Sequence, residues 1–200
     1  MTQEEFTDLL KSTKRRHIET LITYLETETD FFSAPASSNY HGAEAGGLLS
    51  HSIAVYTELD KLVKLYKYPV SPESVIIISL LHDICKANFY ERTMKSRPMR
   101  NDEGNLILDK YGKKTWEETE SYTINDKCPL GHGEKSAIII QNYIQLTMEE
   151  VMGIRWHMMA YDDVVKGYTG NCALTAALNM YPIISLVHCA DLLSISHQAP

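Results

Sequence analysis

Ser71-Pro-Glu-Ser-Val-Ile-Ile-Ile-Ser-Leu-Leu-His-Asp-Ile-Cys-Lys-Ala87 is the stretch on which the reading of this chain turns. A serine followed by proline opens a helix: the hydroxyl takes an orphan amide, and proline at the first helical position has no amide to leave unpaired. From Val75 the run is apolar nearly all round, which predicts a central, buried helix to about Ala87. His82 and Asp83 then stand side by side inside it. An unpaired carboxylate there costs several kcal/mol, so something must neutralise it. Within the helix only Lys86, one turn on, carries positive charge. A divalent cation would do so fully, since imidazole nitrogen and carboxylate oxygen are donors that Mn, Fe, Co, Ni or Zn accept.

Working outward, partners of the right type sit in other segments: His51 in Gly46-Gly-Leu-Leu-Ser-His51, His132 in Gly131-His-Gly-Glu134, His157 in Ile154-Arg-Trp-His157 and Asp191 in His188-Cys-Ala-Asp191. The plainer reading of any one histidine is a core imidazole bonded to a carbonyl. An adjacent His-Asp pair with four such partners is better read as a metal cluster. No cysteine occupies these positions, and none of Cys85, Cys128, Cys172 and Cys189 forms a C-x-x-C pair, which argues against a structural zinc site.

Around this core the apolar spacing predicts further helices over residues 3–29, 48–68, 133–145, 147–159, 173–181 and 182–195, with loops at 31–47 and 161–171. Thr147-Met-Glu-Glu150 reads as a capping box. Residues 90–130 carry turn signals at 101–105 and 111–114 between short strand-like runs, so we expect a small β-hairpin or three-stranded flap inserted into an all-α bundle. The expected organisation is a single domain over residues 1–200.

The chain has 200 residues, 44% hydrophobic, with 19 basic against 26 acidic side chains for a formal charge of −7. That field opposes a long polyanion and favours a small ligand over nucleic acid. No apolar run reaches the ~18 residues of a membrane span. The N-terminal residues lack the pattern of a secretory signal, so a cytoplasmic location is expected.

The ordered set His51, His82-Asp83, His132, His157, Asp191, with the phrases Gly-Gly-Leu-Leu-x-His, Leu-Leu-His-Asp-Ile-x-Lys, Gly-His-x-Glu and His-x-Ala-Asp, resembles the HD superfamily of metal-dependent phosphohydrolases from about residue 35 to 191. The stretch Ala34-Pro-Ala through Tyr40-His41-Gly to His51 is also similar to HD-type 3′→5′ exoribonucleases. The resemblance implies an HD-type helical bundle in which His51, His82, Asp83 and Asp191 hold one metal, and His132 and His157, with Asp83 as the bridge, a second. It implies two divalent transition metal ions (Mn, Fe, Co, Ni or Zn). It further implies hydrolysis of a phosphate ester or diester of a nucleotide or other small phosphorylated molecule by a metal-bridging hydroxide, since two metals ~3.5–4 Å apart lower the pKa of a shared water toward ~7.

Lys86 is three residues after Asp83 and is expected to contact substrate phosphate or the bridging ligand; its plainer role is a helix C-terminal cation. His41, in the glycine-bearing loop, and His188, one turn before Asp191, are further substrate-binding candidates, His188 with the alternative of orienting a metal ligand. Arg92, Lys95, Arg97 and Arg100, against the single acid Glu91, make the flap a candidate substrate-sensing lid or else a solvated hairpin. Phe89, Tyr90 and Tyr122 near its ends read as base-stacking candidates or as local core. Arg155 reads as a surface or salt-bridged arginine. The same ligand order occurs in HD-type diiron oxygenases that use O₂. A 3′→5′ single-strand exonuclease and a metal-stabilised binding module complete the alternatives. Oligomeric state has no signature in the sequence.

Overall fold

The computed structural model describes residues 2–38 and 42–196. They form a mostly helical protein with one small antiparallel sheet. The first predicted helix is two: α1, Gln3–Ser12, and α2, Ile18–Thr27. Lys14 and His17 take left-handed backbone conformations between them, with φ of 52° and 67°. Both pieces bury their apolar face, Phe6 and Leu10 on α1 and Ile18, Leu21, Ile22 and Leu25 on α2. The break frees Arg15 to pair with the buried Glu150 and to donate to the Gln145 carbonyl at 3.2 Å.

α3, Gly47–Tyr66, starts where the loop before it doubles back. A Cβ on Gly47 would lie 2.1 Å from the Gly42 carbonyl oxygen, so only glycine fits that close approach. α4, Pro72–Leu81, begins as the sequence indicates, with Ser71 accepting from the Ser74 amide at 3.1 Å and Pro72 in the first turn. From Ser74 to Leu81 every residue is buried. The helix does not continue to Ala87. His82 is its C-terminal cap, Asp83 leaves helical geometry at φ −109° and ψ 19°, and Ile84–Lys86 forms a single 3₁₀ turn. The His-Asp pair therefore sits at the end of the greasy helix rather than in its middle. A carboxylate at a helix C-terminus is electrostatically disfavoured, and Lys86 in the following turn offsets it.

The flap is a long hairpin: β1, Tyr90–Pro98, pairs in register with β2, Trp116–Ile124, from Tyr90 opposite Ile124 to Pro98 opposite Trp116. Beyond it, isolated bridges join Arg100 to Leu106 and Leu108 to Lys114, so the run between the two turns touches both arms at the tip.

The remaining helices are shorter than predicted at some ends and longer at others. α5 is His132–Gln141 and α6 is Met148–Arg155, the latter opened by the Thr147/Glu150 capping box. The expected loop at 161–171 contains a 3₁₀ turn, Asp163–Lys166, and the start of α7, Tyr168–Met180. α8, Ile183–Ser196, follows after a bend of 103° near Pro182. Among the described residues no single helix is long and apolar enough to cross a membrane.

The core gathers Phe6, Leu10, Leu21, Leu25, Phe31, Leu48, Leu59 and the apolar face of α4. A smaller cluster joins Trp156, Val165, Leu174, Ala177 and Ile184. α3 packs against both α4 and α8, which brings His51, the end of α4 and the middle of α8 together.

Candidate metal centre

Each ligand candidate is delivered by the end or the inner face of a different element. His51 projects from the first turns of α3, His82 and Asp83 follow α4, and Asp191 comes from α8. His132 is the first residue of α5. His157 lies just past α6, which ends at Arg155 rather than at about 159. A Cβ on Gly133 would lie 2.2 Å from the Arg155 carbonyl oxygen, so glycine lets the start of α5 press on the end of α6. That contact presses the segment carrying His132 onto the one carrying His157, while the two rings fall in different donor trios.

The six residues, joined by Cys85, fall into three overlapping trios, the donor atoms of each trio lying within 4.8 Å of one another: His51, His82 and Asp191; His82, Asp83 and His157; Asp83, Cys85 and His132. His51 Nε2 is 3.2 Å from His82 Nε2, 3.3 Å from Asp191 Oδ1 and 3.5 Å from Asp83 Oδ2. His82 Nε2 is 3.4 Å from Asp83 Oδ2.

Hydrogen bonds on the far side of the rings fix their tautomers. His82 Nδ1–H donates to the Ser79 carbonyl at 2.8 Å, and His157 Nδ1–H to the Ile154 carbonyl at 2.7 Å. Ser194 donates its hydroxyl to the Asp191 carbonyl at 2.6 Å and so accepts from His51 Nδ1–H at 3.2 Å. Each Nε2 is left with its lone pair turned inward, the pattern of metal-ligating histidines. Two lone pairs facing at 3.2 Å, with two carboxylate oxygens as close, repel unless a cation stands among them. Donors ~2.1 Å from a shared cation sit about 3.0–3.4 Å apart, which these distances match. Asp83 Oδ1 and His157 Nε2, both buried and 3.6 Å apart, have no hydrogen-bond partner among the described residues. The donor set fits divalent metals.

The charges agree. Burial pushes the Asp83 carboxyl up, but Lys86 and the histidines around it outweigh that and hold it well below the usual range. Asp191 is likewise desolvated yet held down to about 2, chiefly by His51. Burial lowers His82 and His132. His51 and His157 are desolvated too, but the carboxylates of Asp191 and Asp83 beside them raise them.

Lys86 Nζ lies 2.6 Å from Asp83 Oδ2, and Lys86, His51, Asp83, His188 and Asp191 line a cavity of about 560 Å³. His188 Nδ1–H donates to the His157 carbonyl at 2.7 Å. The flap cations are elsewhere: none of Arg92, Lys95, Arg97 and Arg100 is among the described residues lining that cavity, Lys95 donates to the Tyr122 carbonyl at 3.3 Å and Arg100 to the Gly104 carbonyl at 2.6 Å. His41 lies outside the described residues. Arg155 pairs with Glu134 at 2.7 Å and Asp162 at 2.5 Å. Phe89 is buried against Tyr90 and His132, as local core.

Sequence reasoning passed over Cys85, whose buried thiol is pushed up to about 12 by burial and lies 3.5 Å from His132 Nδ1. It also passed over Ser194. The first stood inside the decisive stretch. The second had a findable signal, its position one helical turn after Asp191.

No family model matches the chain, and no solved structure matches it. Among curated proteins, a segment is 36% identical over 90 residues to the dihydroneopterin 2′,3′-cyclic phosphate phosphodiesterase of Methanocaldococcus jannaschii, covering 42% of this chain and 34% of that protein. The match thus spans about a third of the relative's length. The relative is named a phosphodiesterase of a cyclic phosphate.

Proposed function

We propose that this chain is a metal-dependent phosphohydrolase of the HD type, acting on a phosphate ester or diester of a nucleotide or other small phosphorylated molecule. The observation that carries the reading is the cluster of inward-facing, cation-demanding donors, with Asp83 Oδ1 and His157 Nε2 unpartnered at its centre. His51, His82, Asp83 and Asp191 would hold one divalent ion. His132 and His157, with Asp83 shared, would hold the second. Such ions, when bound, polarise phosphoryl oxygens and lower the pKa of water to near neutrality.

The chain's own groups supply the rest. Lys86 keeps its ammonium on the cavity wall, where it can donate to a non-bridging phosphoryl oxygen while anchored to Asp83. His188, with Nδ1–H committed to a carbonyl, leaves Nε2 as the ring nitrogen available to a ligand or a proton. Tautomer-fixing carbonyls behind His82 and His157 keep both rings oriented before substrate arrives, so little reorganisation is needed.

The test is elemental analysis of protein purified without chelators, followed by a screen of nucleotides and phosphoesters with Mn, Co, Ni, Fe and Mg. The expected outcome is about two equivalents of transition metal and hydrolysis that a chelator abolishes. Metal-free protein that hydrolyses no phosphoester with any of these ions overturns the proposal. Iron with a ferric near-ultraviolet band and O₂ uptake, without phosphate chemistry, replaces it with an oxygenase.

A further inference from the structure

The cavity over the ligand cluster has two walls of opposite character. One is polar: Ser37, His51, Asp83, Lys86, His188 and Asp191. The other is apolar: Ala36, Met158, Tyr161, Leu192 and Ile195. α8 contributes to both. His188, Asp191, Leu192 and Ile195 fall on one helical stripe, polar in its N-terminal half and apolar beyond. From Asp191 to Ile195 the helix rises about 6 Å. A ligand spanning this stripe has its anionic group and its apolar body one short connecting group apart.

Charge sets a second limit. Lys86 is the only lysine or arginine among the described residues lining the cavity, and its ammonium is already matched by Asp83 at 2.6 Å. The four cations of the flap do not line it. Beyond the ligand cluster no further lysine or arginine among the described residues on these walls balances a second phosphate. Desolvating one there without a counter-charge is strongly unfavourable. Tyr161 and Leu192 stay 67% and 43% exposed, apolar surface left bare at a site of a size usual for small ligands, about 300–1,000 Å³. The Tyr161 ring is tilted 34° from that of His188 with centroids 6.0 Å apart. A flat ring fits such a wall.

Resting on the phosphohydrolase reading, we infer that the substrate is a monoester or cyclic diester of one phosphate carried close to an aromatic or heteroaromatic group, and that polyphosphates and purely polar sugar phosphates are rejected. The phosphate lies over Asp83, Lys86 and Asp191. The ring lies against Tyr161, Leu192 and Ile195.

The experiment uses the full chain loaded with Mn and three compounds: a nucleoside 2′,3′-cyclic monophosphate, ribose 2,3-cyclic phosphate without the base, and a nucleoside 5′-triphosphate. The base-bearing cyclic phosphate is expected to have a kcat/KM at least about tenfold above the base-less one, and the triphosphate to be left intact. Tyr161→Ala and Leu192→Asn, at exposed positions that do not endanger folding, bring that ratio toward one by raising KM for the base-bearing compound. Equal use of the base-less phosphate, preferential use of the triphosphate, or an unchanged ratio in both variants overturns the substrate class and leaves phosphohydrolase activity standing. Hydrolysis of none of the three, nor of any ester in the broader screen, overturns the parent reading along with it.

Discussion

Asp83 faces two sides at once: one oxygen faces His51, His82 and Lys86, and the other faces His157. Asp83→Ala should therefore lose both metals and all hydrolysis, whereas His132→Ala should lose about one equivalent and keep the other. Retention of two equivalents by the first variant contradicts the shared-carboxylate assignment. Ser194 touches no donor lone pair but fixes the His51 tautomer. Ser194→Ala should weaken metal binding by about 10–100-fold, the usual cost of losing such a support, measurable by metal titration of the apoprotein. Unchanged affinity means that His51 needs no help to orient. The ligand-type residues were legible in the sequence because each is chemically out of place: a carboxylate beside isoleucines, or a histidine beside glycine at a helix start. Ser194 was not, because a serine in a helix is commonplace and only its distance from His51, 143 residues away in sequence, gives it a task. Cys85 was set aside for lacking a C-x-x-C partner, although the fold places it beside His132.

Helix ends do most of the positioning. α4 stops at Leu81, α6 at Arg155, and α5 starts on His132. Periodicity found all three helices but not where they stop, since an apolar pattern reports which face is buried and not whether the backbone is continuous. The break between α1 and α2 shows this well: Leu10 and Ile18 are both buried, eight residues apart and so about two turns in phase. Only the left-handed conformations at Lys14 and His17 betray the interruption, and nothing about a lysine or a histidine announces them. The contact between α5 and α6 is the most exacting of the helix contacts near the site. Gly133→Ala forces a methyl group onto the Arg155 carbonyl. It should cost about 1–3 kcal/mol, a fall in Tm of roughly 2–10 °C for a chain of this size, and should loosen the metal that His132 and His157 would share before the other. A variant with unchanged Tm and metal content shows that the two helices can separate freely.

The hairpin reaches the site only at its base, where Tyr90 interacts electrostatically with Lys86 and Asp83 and packs on Phe89. Its far half exposes Leu108, Tyr111 and Trp116, and two of its cations, Lys95 and Arg100, bond within the arm. The charge run at 92–100 suggested a lid from sequence alone, because sequence shows that a loop must return to the site but not how far it strays between. Replacing residues 99–115 by Asn-Gly joins Pro98 to Trp116, which already face each other. The expected change in Tm is within about 2 °C, with metal content unaltered. A large drop shows that the tip braces the helices. Trimming also settles the lid: an altered KM for small phosphoesters restores it. The helical body has the opposite property. Its six donors are drawn from segments between His51 and Asp191, so no shorter stretch of the chain can assemble them. A ribosome must deliver the chain through Asp191 before the last carboxylate arrives. Nascent chains and fragments that lack α8 are thus incapable of gathering the full donor set.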